Sequence, residues 1–302
     1  GWYGYEYEVA SDATQVKVDP RRNPKGDLDL PEAIRYAKEK GRRVILYVNH
    51  RALERQLDVI FPLYRSWGVD GVKFGFVHTG SHRWVTWVHE AVRKAAEHHL
   101  VVDIHDNYRP TGFSRTYPNL LQQEGIAGDE TMPTATQSTI YPFTRFIAGA
   151  ADHTYCFLDK RLKKTKAHQL ALAAINFGPL QYLHWYDRPE AYGDRGEIEF
   201  WKEMPTVWDD TRVLDGTPGE FITVARRRGS DWWIGAITNV EARRLAVPLD
   251  FLPAGATYQA DIYEDAGEKT IAKRTVPATR ETRLNFDLRP SGGAAIHLRA
   301  TK

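Results

Sequence analysis

The sequence predicts an α/β fold: a (β/α)8 TIM-type barrel over residues 1–213, followed by a small antiparallel β-sandwich domain over residues 214–302. Two observations predict it. In the first part, short apolar strands alternate with helices of about 10 to 15 residues, which is the pattern of βαβ units around a parallel sheet. In the second part, short runs alternate apolar and polar residues with no helices between them, which is typical of an antiparallel domain.

The elements of the barrel part follow one another in a regular order. Pro31 stands in the first turn of its helix, and Gly41 and Gly68 follow helix ends, which are positions that suit these residues. The count gives about seven of the eight strands of such a barrel, so we expect the first strand to come from residues upstream of this chain. Strands are predicted at residues 2–5, 44–48, 72–76, 100–104, 120–124, 154–157 and 178–183, and helices at residues 30–40, 52–67, 82–98, 140–148, 166–176 and 197–204.

The C-terminal part contains few clustered carboxylates or histidines, so it is interpreted as an accessory module. Residues 209–219 are predicted to form the loop that leads into it. Strands are predicted at residues 221–227, 232–238, 246–251, 258–263, 283–287 and 294–298.

Composition excludes several classes of protein. The chain has 41 Lys and Arg against 39 Asp and Glu, a net charge of +2, which gives no electrostatic reason to expect nucleic acid. The single cysteine, Cys156, excludes an intrachain disulfide framework. No apolar run approaches the roughly 20 residues that span a bilayer, so no membrane span is predicted. No signal peptide is recognised in the sequence either.

The densest group of polar residues follows the predicted strand at residues 100–104. Asp103, His105, Asp106 and Asn107 stand there together, and Pro110 and Gly112 then break the strand. A second passage from apolar to polar residues ends at Glu124, and the stretch closes on Asp129 and Glu130. Because the active site of a parallel barrel is assembled at the carboxyl ends of its strands, we expect chemistry at this rim.

The motifs of this stretch resemble glycoside hydrolase family 97, the bacterial α-glucosidase and α-galactosidase family. They are RPTG at residues 109–112 and RTYPN at residues 115–119, followed by Glu124 and Glu130. The resemblance covers nearly the whole chain, which would form two thirds or less of a full-length member. It implies an exo-acting, calcium-dependent glycosidase that is periplasmic or secreted. It also implies an N-terminal β-domain, upstream or on a partner chain.

The resemblance also implies roles for three carboxylates. Glu130 matches the general acid of the family, and Glu124 matches a glutamate that binds calcium. Asp106 aligns with a glutamate that serves some members as base and calcium ligand. Calcium prefers carboxylate and carbonyl oxygens, so Glu124, Glu130 and Asp106 are the predicted calcium ligands.

Gly75 is the main departure from the pattern of the family. Retaining members resemble residues 72–76 as VKFDF, with the aspartate as nucleophile, whereas this chain has VKFGF. The inverting branch also has glycine there but has a base glutamate at the position of Asn49. Asp106 is therefore the predicted base, and inversion is expected, with the space beside Gly75 suited to a water molecule.

Four residues at strand ends are predicted to bind sugar hydroxyls: Asn49, His50, His105 and Asn107. Two alternatives within the family stay open. One is a member with eroded catalysis that only binds carbohydrate, and the other is a retaining enzyme whose nucleophile is replaced by Gly75. A third, a metal-dependent hydrolase of another substrate, is suggested by Asp103, His105 and Asp106. It is disfavoured because no second strand end looks rich in histidine, and His78 has no evident partner.

Overall fold

The computed structural model describes residues 2–3, 11–21, 23–106, 108–183, 192 and 196–301. These residues form two compact units, Gly1–Gly125 and Ile126–Lys302. Within the described ranges, no helix combines the length and the apolar character that crossing a membrane requires.

The first unit is built on a four-stranded parallel sheet with the order β1-β2-β3-β4. Its elements are α1 (Leu30–Glu39), β1 (Ile45–Asn49), α2 (His50–Ser66), β2 (Gly71–Gly75), α3 (His82–Glu97), β3 (Val101–Ile104) and β4 (Leu120–Gln123). A short 3-10 turn, Phe113–Arg115, precedes β4.

Each helix of this unit begins at a short polar residue whose side chain caps it. The Asp29 carboxylate accepts a hydrogen bond from Glu32 N at 3.0 Å at the start of α1. Asn49 Oδ1 accepts from Arg51 N at 3.1 Å at the start of α2, and Ser81 begins α3 in the same way. Caps of this kind satisfy backbone donors that the first turn leaves unpaired, which fixes where each helix begins.

The two faces of the parallel sheet differ in chemistry. On one face, Val48, Phe74 and Ile104 are fully buried and join a core with the apolar sides of α2 and α3. On the other face, the register aligns Tyr47 with Lys73, Lys73 with Asp103, and Asp103 with Gln122. Lys73 Nζ lies 3.6 Å from Asp103 Oδ2, so this face carries a buried polar row. The candidate site residues continue this polar face.

The second unit contains a six-stranded antiparallel sheet with the order β12-β11-β14-β9-β8-β7 and two smaller sheets, β10-β13 and β5-β6. Its elements are α4 (Ala135–Ile140), β5 (Thr154–Tyr155), α5 (Lys166–Ile175), β6 (Tyr182–Leu183), α6 (Ile198–Glu203), β7 (Asp210–Thr217), β8 (Phe221–Arg228), β9 (Asp231–Thr238), β10 (Arg243–Pro248), β11 (Tyr258–Asp265), β12 (Ile271–Ala278), β13 (Arg283–Leu288) and β14 (Gly293–Ala300).

Both faces of the six-stranded sheet are covered. One face shares a buried apolar cluster with β10 and β13, as in a β-sandwich. Helix α5 packs on the other face, where every residue of the helix is buried. The backbone of α5 comes so close that a Cβ at Gly293 would lie 2.7 Å from His168 Cα, and one at Gly235 would overlap the carbonyl of Ala171. Glycine at these two strand positions makes the contact possible.

Two sequence predictions in this unit are wrong, for different reasons. Residues 140–148 do not form the predicted α-helix. Helix α4 ends at Ile140, and two 3-10 turns follow it at Tyr141–Phe143 and Arg145–Ala148. Pro142 explains the change, because proline cannot supply the backbone donor of a continuing helix. The loop predicted at residues 209–219 is strand β7, and β12 was also missed. Both are exposed strands at the two edges of the sheet, where the apolar alternation is weak.

The extent of the barrel and its boundary after residue 213 stay predictions. Among the described residues, the parallel strands form one sheet in each unit. The antiparallel sheet begins at Asp210, and the division of the sequence into two compact units falls between Gly125 and Ile126. Part of the strand predicted at residues 2–5 lies outside the described residues, and Tyr3 makes an isolated parallel bridge with Lys17.

Candidate functional site

Three predicted site residues meet at the carboxyl ends of β3 and β4. The ladder continues past the last strand residues, since His105 N donates to Phe74 O and Glu124 N donates to Ile104 O, both at 2.8 Å. These two bonds fix His105 and Glu124 at one edge of the sheet. Asp106, which follows His105, is tied to the same edge because Gly125 N donates to its carbonyl at 3.0 Å.

The polar atoms of these residues form a compact group. The Asp106 N–H donates to Glu124 Oε2, and the same oxygen lies 3.4 Å from His105 Nδ1. One ligand atom from each residue lies within 4.8 Å of the others, a spacing that a metal ion could bridge. Glu124 is buried and His105 is half-buried. The group can therefore hold a cation or present a carboxylate to a bound molecule.

The backbone at this edge is held in an unusual conformation. Asp106 has φ +72° and Phe76 has φ +56°, values in the left-handed region that non-glycine residues rarely adopt. Asp106 Oδ2 accepts a hydrogen bond from Phe76 N, so the two residues brace each other. Phe76 leaves 59% of its surface exposed. Such conformations persist where the surroundings enforce them, and they cluster at functional sites.

Tyr47 occupies the space beside Gly75. A Cβ added to Gly75 would coincide with the phenol ring of Tyr47, whose Oη, Cζ and Cε2 are the nearest atoms. The register explains the approach: Asn49 is aligned with Gly75, and Tyr47 lies two residues before Asn49, on the same face. The expectation that Gly75 leaves room for a water molecule is therefore wrong. Nothing in the sequence indicates this contact, because a sequence does not show which rotamer a neighbouring strand residue adopts.

A second polar cluster lies at the ends of β1 and β2. His50 Nδ1 lies 2.8 Å from Glu54 Oε1, and His78 Nε2 lies 3.4 Å from the same oxygen. The expectation that no second strand end is rich in histidine is therefore wrong. His50 was predicted to bind sugar, whereas its partner here is a carboxylate. The nearby Asn49 uses its side-chain oxygen to cap α2.

Glu130 lies in the second unit, in a 3-10 turn at Asp129–Thr131, and is exposed. Its neighbour Asp129 is completely buried and accepts a hydrogen bond from Lys164 Nζ at 2.6 Å. Burial alone would raise the pKa of Asp129, but Lys164 and His153 outweigh it and hold that pKa below its usual value. This ion pair anchors the turn that carries Glu130. The sequence did not reveal it, because Lys164 is 35 residues away.

The structure thus brings together His105, Asp106 and Glu124 from the predicted set. Asn107 lies outside the described residues. The catalytic role of Glu130 stays a prediction.

Comparison with known proteins identifies the family. The family described as Glycoside hydrolase 97 matches residues 1–126, and the one described as Glycosyl-hydrolase 97 C-terminal, oligomerisation, matches residues 207–299. The chain is 31% identical over 324 aligned positions to a retaining alpha-galactosidase of Bacteroides thetaiotaomicron, covering 98% of this chain and 48% of the relative. It is also 31% identical to a probable retaining alpha-galactosidase of Streptomyces bingchenggensis, covering 88% of this chain and 42% of the relative.

Solved structures agree. A glycoside hydrolase family 97 enzyme from Pseudoalteromonas sp. strain K8, solved in complex with acarbose, matches with a TM-score of 0.86 and 27% identity, over 100% of this chain and 52% of that one. The chain spans about half the length of the curated relatives that it matches. Since the family matches at both ends of the sequence and the relatives align along nearly all of it, the chain belongs to glycoside hydrolase family 97.

Proposed function

We propose that this chain carries the catalytic part of an exo-acting α-glycosidase that removes terminal α-glucosyl or α-galactosyl residues with inversion of configuration. The observation that carries the proposal is the group formed by His105, Asp106 and Glu124 at the ends of two parallel strands, in a chain of this family. The printed names of the curated relatives support an α-galactoside as the first substrate to test.

Inverting hydrolysis needs an acid for the leaving oxygen and a base for the attacking water. Glu130 is the proposed acid. Asp106 is the proposed base, because its carboxylate lies at the strand end and is oriented by the Phe76 N–H. If Glu130 is the acid, Glu130→Gln slows the hydrolysis of substrates with poor leaving groups more than that of activated phenols.

Inversion is supported by the absence of a carboxylate at residue 75. The curated relatives are named retaining, and a retaining mechanism needs a carboxylate nucleophile close to the sugar. Residue 75 offers no carboxylate, and the ring of Tyr47 fills the position that such a side chain would use. The alternative of a retaining enzyme whose nucleophile is replaced by Gly75 would require the Tyr47 ring to leave this position.

The donor atoms at the proposed site fit calcium in part. Calcium prefers hard oxygen ligands, which Asp106 and Glu124 supply, whereas the imidazole of His105 suits it less well. A glutamate from the N-terminal β-domain of the family would complete the oxygen set. Bound calcium would supply a positive charge that relieves the repulsion between the gathered carboxylates.

The family resemblance also supports a periplasmic or secreted location and a partner role for that N-terminal domain. A second candidate function is sugar binding without catalysis. It is favoured by Asn49, which stands where the inverting branch has its base and which here caps a helix.

Release of sugar from aryl α-galactosides and α-glucosides tests the proposal. Wild-type protein should hydrolyse at least one of them, and Asp106→Asn should lower kcat/KM by about 100-fold or more. The matched control is Asp58→Asn, which changes a carboxylate on α2 that is 78% exposed and should leave the rate unchanged. Sugar binding without turnover of either substrate would favour the second candidate.

A further inference from the structure

The cluster of His50, Glu54 and His78 takes no part in the proposed hydrolysis. Its ligand atoms, two imidazole nitrogens and one carboxylate oxygen, all lie within 4.8 Å of one another. All three residues belong to the first unit, but they lie at the ends of β1 and β2 rather than of β3 and β4.

The fold positions these three side chains closely. Asn49 ends β1 and caps α2, so His50 is the first residue of the helix, and Glu54 follows four residues later on the same side. His78 comes three residues after the last residue of β2. Its ring packs on the Trp84 indole with ring centroids 4.5 Å apart, and it meets the His50 ring edge-on at 4.7 Å. Contacts with neighbours on both sides orient the His78 ring.

The spacing fits a tetrahedral ion. Zinc binds nitrogen and oxygen ligands at about 2.1 Å, so tetrahedral angles place the ligand atoms about 3.4 Å apart. The 3.4 Å between His78 Nε2 and Glu54 Oε1 has this value. The 2.8 Å between His50 Nδ1 and the same oxygen is that of a hydrogen bond, and it would lengthen by about half an ångström when an ion replaces the shared proton.

The chemistry of the ligands selects the class of ion. Two imidazoles and one carboxylate suit borderline transition ions, whereas calcium prefers oxygen. The side chains of His50, Glu54 and His78 are 21%, 26% and 47% exposed, so a fourth position stays open to water. Three protein ligands with an open fourth position are the pattern of a zinc site that can bind or activate another molecule.

We propose that His50, Glu54 and His78 form a binding site for a divalent transition ion, for which zinc is the suitable probe. The site is separate in ligand chemistry from the oxygen-rich group at Asp106 and Glu124. It does not depend on the proposed glycosidase activity.

Titration calorimetry of the 302-residue chain tests the site. Zinc is the titrant, at neutral pH, and the protein is first saturated with calcium so that the oxygen-rich group is occupied. One zinc should bind with a Kd of about 10 μM or tighter, and His78→Ala should weaken it about 10-fold or more. Glu54→Gln should also weaken zinc binding, and it changes the shape of the side chain less than His78→Ala does. The matched control is His82→Ala, which removes an exposed imidazole of the same region and should leave Kd unchanged. Cobalt in place of zinc should give the visible absorption of a four-coordinate ion.

A further variant separates the two clusters. His105→Ala should leave zinc affinity unchanged, because His105 belongs to the oxygen-rich group. Zinc binding that is lost in His105→Ala and kept in His78→Ala would overturn the proposal, as would the absence of binding by the wild type. Because His78 is 47% exposed, its substitution should leave the fold intact, which circular dichroism of each variant checks.

Discussion

The contact between Tyr47 and Gly75 makes a prediction that depends only on packing. Gly75→Ala adds a single methyl group at a position where the Tyr47 ring already lies. The φ of Gly75 is not in the left-handed region, so the cost comes from this overlap rather than from the backbone. Overpacking of this kind costs about 1–3 kcal/mol.

Thermal unfolding measures this cost. Gly75→Ala should lower Tm by about 2–4 °C for each kcal/mol. The matched control is Gly196→Ala, because an added Cβ at Gly196 meets no atom of the described residues within 4 Å and should change stability by less than about 0.5 kcal/mol. Tyr47→Ala removes the ring and should make the added methyl group harmless. The double variant should therefore show a coupling free energy of about 1 kcal/mol or more between the two positions.

The same contact decides how a nucleophile could be introduced. Gly75→Asp alone should give no retaining activity, since its side chain has no space, whereas Tyr47→Ala with Gly75→Asp opens that space. Equal stability of Gly75→Ala and Gly196→Ala would refute the proposed overlap between the Tyr47 ring and residue 75. Additive effects of Tyr47→Ala and Gly75→Ala in their double variant would refute it too. Either result would mean that the Tyr47 ring leaves this position at no cost.

Three further predictions concern the buried groups and calcium. Lys164→Met leaves the Asp129 carboxylate buried without its cation and should cost about 3–5 kcal/mol; a loss below 1 kcal/mol in urea unfolding would contradict the role of this pair. Burial lowers the pKa of His153 to about 4, although Asp129 acts against this shift. The unfolded chain then binds the proton more readily, so this histidine should remove about 3 kcal/mol of stability as pH falls from about 6.5 towards 4. His153→Gln should flatten the dependence of Tm on pH in that window, and an unchanged slope would refute it. Removal of calcium with a chelator should lower Tm, and calcium should restore it better than magnesium, which demands tighter octahedral geometry; no shift would remove calcium from the account.

The sequence predicted elements with a strong local signal and failed where tertiary contacts decide. Helix α5 was predicted nearly to the residue, because residues 170–175 are rich in alanine and leucine, which are strong helix formers. Strand β7 was missed because an exposed edge strand has little apolar alternation to recognise. The sequence could predict that Asp106 and Glu124 lie close together, because each follows the end of one of two successive parallel strands.

The rest of the site could not be predicted in this way. Tyr47 meets Gly75, and His78 meets Glu54, through side-chain directions that depend on strand register and rotamer. The partners of Asp129 are distant in sequence, and nothing local marks Lys164 as buried.

The stereochemistry of the first product tests the central claim most directly. Proton NMR of the wild-type chain acting on an aryl α-galactoside, recorded before mutarotation, identifies the anomer that is released first. Inversion with Asp106 as base predicts the β-sugar first. An α-sugar appearing first would contradict the account, because it would require a nucleophile other than residue 75.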